Sequence, residues 1–246
     1  MLPELYHAHH SLHLEDLPFW LELASQCDDP MLELGCGTGR VLIPLAQAGH
    51  RVVGIDHDQA MLRYLRIGLP TPASFDLFLI AADISNFWLN LRFGLIILPC
   101  NTLSTLSQAE RQACLARIRR HLQPRGTFAV SVPNPQVLEQ LPPQSPPELE
   151  DEFIHAFTGN PVQVSSSWHR TREAFDISWN YDQLFPDGTV ERVTMKTSHH
   201  RVSTQGYLDE IHSAGLRVDH LYGDFDLSTY TSESANLVIL ATAGSY

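Results

Sequence analysis

Met31-Leu-Glu-Leu-Gly35-Cys-Gly37-Thr-Gly39-Arg-Val-Leu-Ile-Pro-Leu-Ala46 decides the fold. The apolar run Pro30 to Leu34 reads as a buried strand. Three glycines in the next five residues let the backbone turn sharply with nothing projecting from the turn. Val41, Leu42, Leu45 and Ala46 recur at helical spacing, which predicts a helix from near Thr38. Strand, bare turn and helix N-terminus together make a place where a ligand can lie against main chain. A second apolar strand, Arg51-Val-Val-Gly-Ile-Asp56, ends in an acid. Asp56 stands about twenty residues beyond Gly35, the spacing at which a strand-end carboxylate accepts both hydroxyls of a bound ribose. Each charge-assisted bond of that kind contributes roughly 1.5–3 kcal/mol. The two strands together predict an adenosine-type ligand.

Dinucleotide sites favour G-x-G-x-x-G, whose last glycine allows close helix packing. In this chain that position is Arg40, and the glycines fall as E-x-G-x-G-x-G from Glu33. This run resembles the first motif of the class I S-adenosylmethionine-dependent methyltransferases. The resemblance implies that Glu33 stands close to the methionine amino end of the cofactor, and that Gly35, Gly37 and Gly39 make room for its methionine part. It places Asp56 on the ribose, with the neighbouring His57 counted among the cofactor contacts. Two other readings stay open on these residues: an NAD-dependent oxidoreductase, and a βαβ turn that holds no ligand.

Composition narrows the classes. The chain of 246 residues is long enough for one α/β domain with a well-buried core, or for that domain plus an insertion. A net charge of -12 argues against non-specific nucleic-acid binding, which needs clustered Lys and Arg. Cys27, Cys36, Cys100 and Cys114 show no C-x-x-C spacing, so neither zinc nor a disulfide framework is indicated. Met1 leads into mixed polar sequence with no long apolar span, which reads as a cytoplasmic protein without a membrane anchor. Nothing in the sequence bears on the oligomeric state.

Residues 1–29 hold Tyr6, the histidines His7, His9, His10 and His13, and a helix pattern from Leu14 to Cys27 with Pro18 in its first turn. His9 and His13 are spaced to share a helix face, but no acid or cysteine near them in sequence completes a ligand set, so no metal is assigned. By resemblance this segment is a lid over the methionine end of the cofactor, and Tyr6 is either a cofactor contact or a residue packed on that lid. Phe75 to Ala81 reads as a third strand leading into Asp83 and Ile84. The resemblance puts the adenine amino group on Asp83 and a ring nitrogen on the Ile84 amide; an N-cap role for Asp83 is the alternative.

Phe93 to Leu98 is apolar throughout, as a central parallel strand should be. It runs into Pro99-Cys-Asn101-Thr-Leu-Ser-Thr-Leu106, which resembles the fourth motif of small-molecule methyltransferases and departs from the N-P-P-Y or D-P-P-Y of nucleic-acid base N-methyltransferases. Pro99 is counted with the cofactor contacts. Asn101 is a substrate contact or a turn residue. A helix over Gln108–Leu122 and a fifth strand over Thr127–Val132 follow. The proline-rich, acidic stretch from Pro133 to Glu152 reads as an irregular loop.

Beyond it the period changes. Phe175, Ile177, Trp179 and Tyr181 alternate with Asp176, Ser178, Asn180 and Asp182, and Pro186-Asp187-Gly188 turns the chain back along Val190 to Met195. This predicts an antiparallel insertion over 151–203, with Trp179 or Tyr181 lining a pocket for a flat or cationic small molecule. His155, His169, His199 and His200 lie in or beside it, and none has a positional warrant as a base.

The whole chain, 1–246, is therefore read as one α/β domain. It has a doubly wound, mostly parallel seven-stranded sheet (the Rossmann-like methyltransferase fold) with an added antiparallel β insertion. The resemblance implies S-adenosylmethionine as cofactor, S-adenosylhomocysteine as product, and a small-molecule N- or O-nucleophile as acceptor. It implies no nucleic-acid or membrane partner. A non-catalytic S-adenosylmethionine-binding or regulatory protein is the alternative. No catalytic residue is assigned.

Overall fold

The computed structural model describes residues 2–69 and 76–244; Pro70 and Phe75, the expected start of the third strand, lie outside them. Helices α1 (Leu2–His10) and α2 (Leu17–Ser25) lead into β1 (Met31–Leu34), α3 (Leu42–Gln47), β2 (Val52–Asp56), α4 (Gln59–Gly68), β3 (Leu77–Ala81) and β4 (Phe93–Leu98). A 3₁₀ turn over Thr102–Thr105 precedes α5 (Gln108–His121), β5 (Leu122–Pro133) and α6 (Pro135–Gln140). Then come β6 (Glu148–Ile154), β7 (Pro161–Arg170), β8 (Ala174–Leu184) and β9 (Val190–His200). The chain closes with α7 (Thr204–Ser213), β10 (Leu216–Tyr222) and β11 (Asn236–Ala243).

The chain divides into two compact units. The larger, Glu15–Glu139 with Val202–Tyr246, holds a seven-stranded sheet in the order β10-β11-β5-β4-β1-β2-β3. Pairings among β3, β2, β1, β4 and β5 are parallel, and β11 runs antiparallel to both β5 and β10. β1, β2 and β4 are buried along their whole length, because helices cover both faces. One face packs Leu32, Leu34 and Ile96 against Leu115 and Ile118 of α5 and Ile211 of α7; the other packs Met31, Val52 and Leu95 against Trp20, Leu45 and Leu65. Sequence order reverses between β1 and β4, which opens a crevice at their carboxyl ends.

The smaller unit joins the N-terminal residues through Leu14 to Gln140–Arg201. It is an antiparallel sheet, β6-β7-β8-β9, with α1 contributing Leu5 to a core of Val162, Val164 and Tyr181. The expected insertion starts earlier than 151. Glu148 to Glu152, expected as the end of an irregular loop, lie in edge strand β6, and of the N-terminal histidines His7, His9 and His10 lie on helix α1 with His9 buried. Backbone pairing to β7 makes β6 a strand although its acidic side chains carry no alternation.

Candidate active site

The crevice of the larger unit is built by the turn after β1. Gly35, Gly37 and Gly39 all have positive φ (72°, 51° and 85°), where a side chain is strained. They are not equivalent. A Cβ on Gly35 would stand 2.8 Å from Thr102 Cγ2, and one on Gly39 2.7 Å from Leu65 Cδ1. A Cβ on Gly37 would meet nothing within 4 Å, so of the three Gly37 alone faces open space. The helix that follows begins at Leu42 and not near Thr38, so the turn is longer than the periodicity predicts.

Asp56, at the end of β2, closes this turn. Its Oδ2 accepts the Gly37 amide at 2.7 Å and its Oδ1 the Asp58 amide at 2.8 Å. Asp58 in turn caps α4 by accepting the Ala60 and Met61 amides. The carboxylate thus already has a structural task, and each oxygen keeps lone-pair capacity for a further donor. The His57 side chain is 87% exposed, with Nδ1 3.9 Å from Asp56 Oδ1.

Glu33 of β1 is buried, and its Oε2 is the buried side-chain oxygen without a hydrogen-bond partner among the described residues. Burial pushes its carboxyl well above the usual carboxylate range; Arg40 opposes this and Asp56 and Asp16 reinforce it. An orphaned buried acceptor of this kind fits a ligand ammonium group. Arg40, legible in the sequence only as a departure from the dinucleotide pattern, forks onto Asp16 at 2.5 and 2.6 Å and reaches Cys100 Sγ at 2.8 Å. Asp16 also accepts the Trp20 indole N–H at 2.8 Å. Nothing local in the sequence pairs Arg40 with Asp16; the contact is made by the fold.

At the end of β4, Pro99 is buried, and Cys100 and Asn101 both take left-handed backbone conformations (φ 57° and 62°). Two such residues in a row each cost about 1–3 kcal/mol, strain of the sort that collects at binding sites. The Asn101 carbonyl accepts the Ser104 amide and hydroxyl, so its main chain is a turn as the alternative reading has it; its carboxamide forms no bond among the described residues. Asp83 follows β3 and accepts the Ser85 amide and hydroxyl on Oδ1, both at 2.7 Å, which hold its carboxyl below the usual range. Ile84 beside it is buried.

The match to known proteins follows the same residues. Residues 31–126 match the family described as "Methyltransferase domain". The chain is a class I S-adenosylmethionine-dependent methyltransferase. It is 26% identical over 219 residues to the cypemycin N-terminal methyltransferase of Streptomyces sp, covering 85% of this chain and 81% of that protein. Its fold is that of the CcbJ methyltransferase from Streptomyces caelestis (TM-score 0.78, 23% identity, 94% and 96% of the two chains). It is also that of a sugar N-methyltransferase from Streptoalloteichus sp (TM-score 0.73, 16% identity, 95% and 88%). S-Adenosylmethionine is the cofactor of this methyltransferase.

The smaller unit holds the remaining residues singled out in the sequence. Tyr6 of α1 stacks on His10 with ring centroids 3.9 Å apart. Tyr181 has no exposed surface, and its hydroxyl lies 3.2 Å from His9 Nδ1. A ring so enclosed cannot stack on a small molecule, so the pocket role expected of Tyr181 is corrected to a packing role. Trp179 is half-buried and donates its indole N–H to Glu150. His155 is buried and accepts the amides of Phe157 and Thr158, while burial holds His199 down to about 4. Among the described residues no helix is long and apolar enough to cross a membrane.

Proposed function

We propose that the protein transfers a methyl group to an amine nitrogen of a small molecule. Support for the nitrogen comes from the relative that methylates an N-terminus and from the sugar N-methyltransferase of the same fold. The orphaned Glu33 oxygen beside a glycine turn open only at Gly37 is the observation that carries the cofactor side of the reading.

When bound, S-adenosylmethionine supplies an electrophilic sulfonium methyl. Glu33 Oε2 receives the ammonium of its methionine part. Asp56 takes the ribose hydroxyls on the lone pairs left by Gly37 and Asp58, with His57 beside it. Asp83 accepts the adenine amino group through the oxygen not held by Ser85, and the Ile84 amide serves a ring nitrogen. Pro99 and Asn101 set the floor of the crevice, with the Asn101 carboxamide available to the acceptor. From the family resemblance Tyr6 is carried forward as a proposed cofactor contact, and from the alternation of β8 Trp179 is carried forward as a proposed acceptor contact. An amine need only be neutral and in line to react, so alignment and exclusion of water are the protein's main contribution, on the order of 7–11 kcal/mol when two reactants are held together. No general base is assigned.

Paired acceptors carrying an amine or a hydroxyl on the same scaffold test the assignment. N-methylation with the hydroxyl partner inert is the predicted result; methylation of the hydroxyl contradicts it.

A further inference from the structure

In the sequence His9 and His13 lack a third ligand; the fold supplies one. Asp151 of β6 places Oδ2 3.2 Å from His9 Nε2 and 2.8 Å from His13 Nε2. All three donor atoms lie within 4.8 Å of one another. Donors bound to a metal at about 2.0–2.1 Å, with angles between octahedral and tetrahedral, stand about 2.9–3.4 Å apart. The two nitrogen–oxygen separations are therefore close to those of a coordinated set.

Three features hold the set together. His9 is 4% exposed on α1, a helix anchored through Leu5 in the core of this unit, and the Tyr181 hydroxyl contacts its Nδ1 at 3.2 Å. That contact orients the ring and leaves Nε2 for a ligand, the outer-shell arrangement usual for a metal-bound imidazole. On β6 the register slips between Leu149 and Asp151, which pair with the consecutive residues Ser165 and Val164. Such a bulge re-aims side chains. Asp151 reaches His9 of α1 and His13, which lies past the end of that helix, while the adjacent Glu150 reaches Ser166 and the Trp179 indole. Exposure rises from His9 through Asp151 (22%) to His13 (53%), which gives an ion an entry path from solvent.

The geometry points to a divalent transition-metal site, His9–His13–Asp151, that ties the N-terminal helix to β6. Two imidazole nitrogens and one carboxylate oxygen suit zinc and its borderline neighbours rather than magnesium or calcium, which take oxygen ligands. Three protein ligands leave a tetrahedral position for water or another donor. Sequence neighbours offer the two histidines no acid; the third candidate ligand, Asp151, stands 138 residues beyond His13.

The test uses the full chain stripped of metal with a chelator and titrated with Zn²⁺, Co²⁺ and Mg²⁺. One Zn²⁺ per chain at micromolar or tighter affinity is expected, with a Co²⁺ visible spectrum of nitrogen–oxygen ligation and no competition from Mg²⁺. His13→Ala and Asp151→Asn, checked for native circular dichroism, should each weaken Zn²⁺ binding at least tenfold, and His220→Ala should not. These positions are partly exposed, so the test does not depend on a variant of buried His9. Absence of micromolar Zn²⁺ binding, or undiminished binding in both folded variants, overturns the proposal.

Discussion

Asp56→Ala separates the two tasks of a single carboxylate. In the folded chain it accepts the Gly37 and Asp58 amides at 2.7 and 2.8 Å. Bonds to a charged acceptor contribute about 1.5–3 kcal/mol each, but both amides lie at partly exposed positions where water replaces much of the loss, so a total near 2 kcal/mol is expected. For a domain of this size each kcal/mol moves the melting temperature by about 2–4 °C, so the ligand-free variant should melt about 4–8 °C lower. A carboxylate with no structural partner, which is all the sequence reveals, would have left the melting temperature unchanged. Losing two ribose hydroxyl bonds removes at least about 3 kcal/mol of binding, a loss of at least about a hundredfold in affinity for S-adenosylmethionine and S-adenosylhomocysteine. Calorimetry with each ligand and thermal unfolding with and without it measure the two effects. A fall in melting temperature with cofactor affinity unchanged would refute the ribose role and leave Asp56 as a tie for the turn.

Three further outcomes are expected. Gly37→Ala puts a methyl group into the open side of the turn, so the chain should fold with a modest loss from its φ of 51° while cofactor affinity falls sharply; unimpaired binding measured by calorimetry would place the ligand elsewhere. Glu33→Gln should weaken cofactor binding by about 10–150-fold. Because burial raises the folded-state value above the ordinary 4.5, Glu33 favours folding fully below that pH and loses the contribution as pH rises, so without ligand the Gln variant should gain melting temperature over the native chain as pH increases; a pH-independent difference argues against a buried, unpartnered carboxyl. Trp179→Ala should slow methyl transfer while S-adenosylmethionine affinity stays within about twofold, and normal turnover in the folded variant would remove Trp179 from the acceptor side.

Local periodicity and glycine spacing made part of this fold legible in the sequence. β1, β2 and β4 are buried on both faces, so their apolar runs are unbroken, and Asp56 stands at the strand end where the count from Gly35 puts it. The Pro186-Asp187-Gly188 turn and the alternation of β8 predict the antiparallel hairpin with β9 for the same local reasons. Features made by contacts between distant segments were not legible. β6 is a strand because β7 offers it backbone partners, not because Glu148–Ile154 alternates. Arg40 meets Asp16 from 24 residues away, and His9 meets Tyr181 across 172, so neither role has a signature in spacing. Helix α3 starts late because the glycine turn takes up the residues after β1, a tertiary demand that overrides helical spacing from Thr38.

Turnover of the purified chain with methyl-labelled S-adenosylmethionine and a panel of amino sugars and peptides with free N-termini tests the central claim most directly. The predicted result is S-adenosylhomocysteine formed in step with an acceptor one methyl group heavier at nitrogen. Stoichiometric binding of S-adenosylmethionine with no S-adenosylhomocysteine formed from any amine in the panel would contradict it.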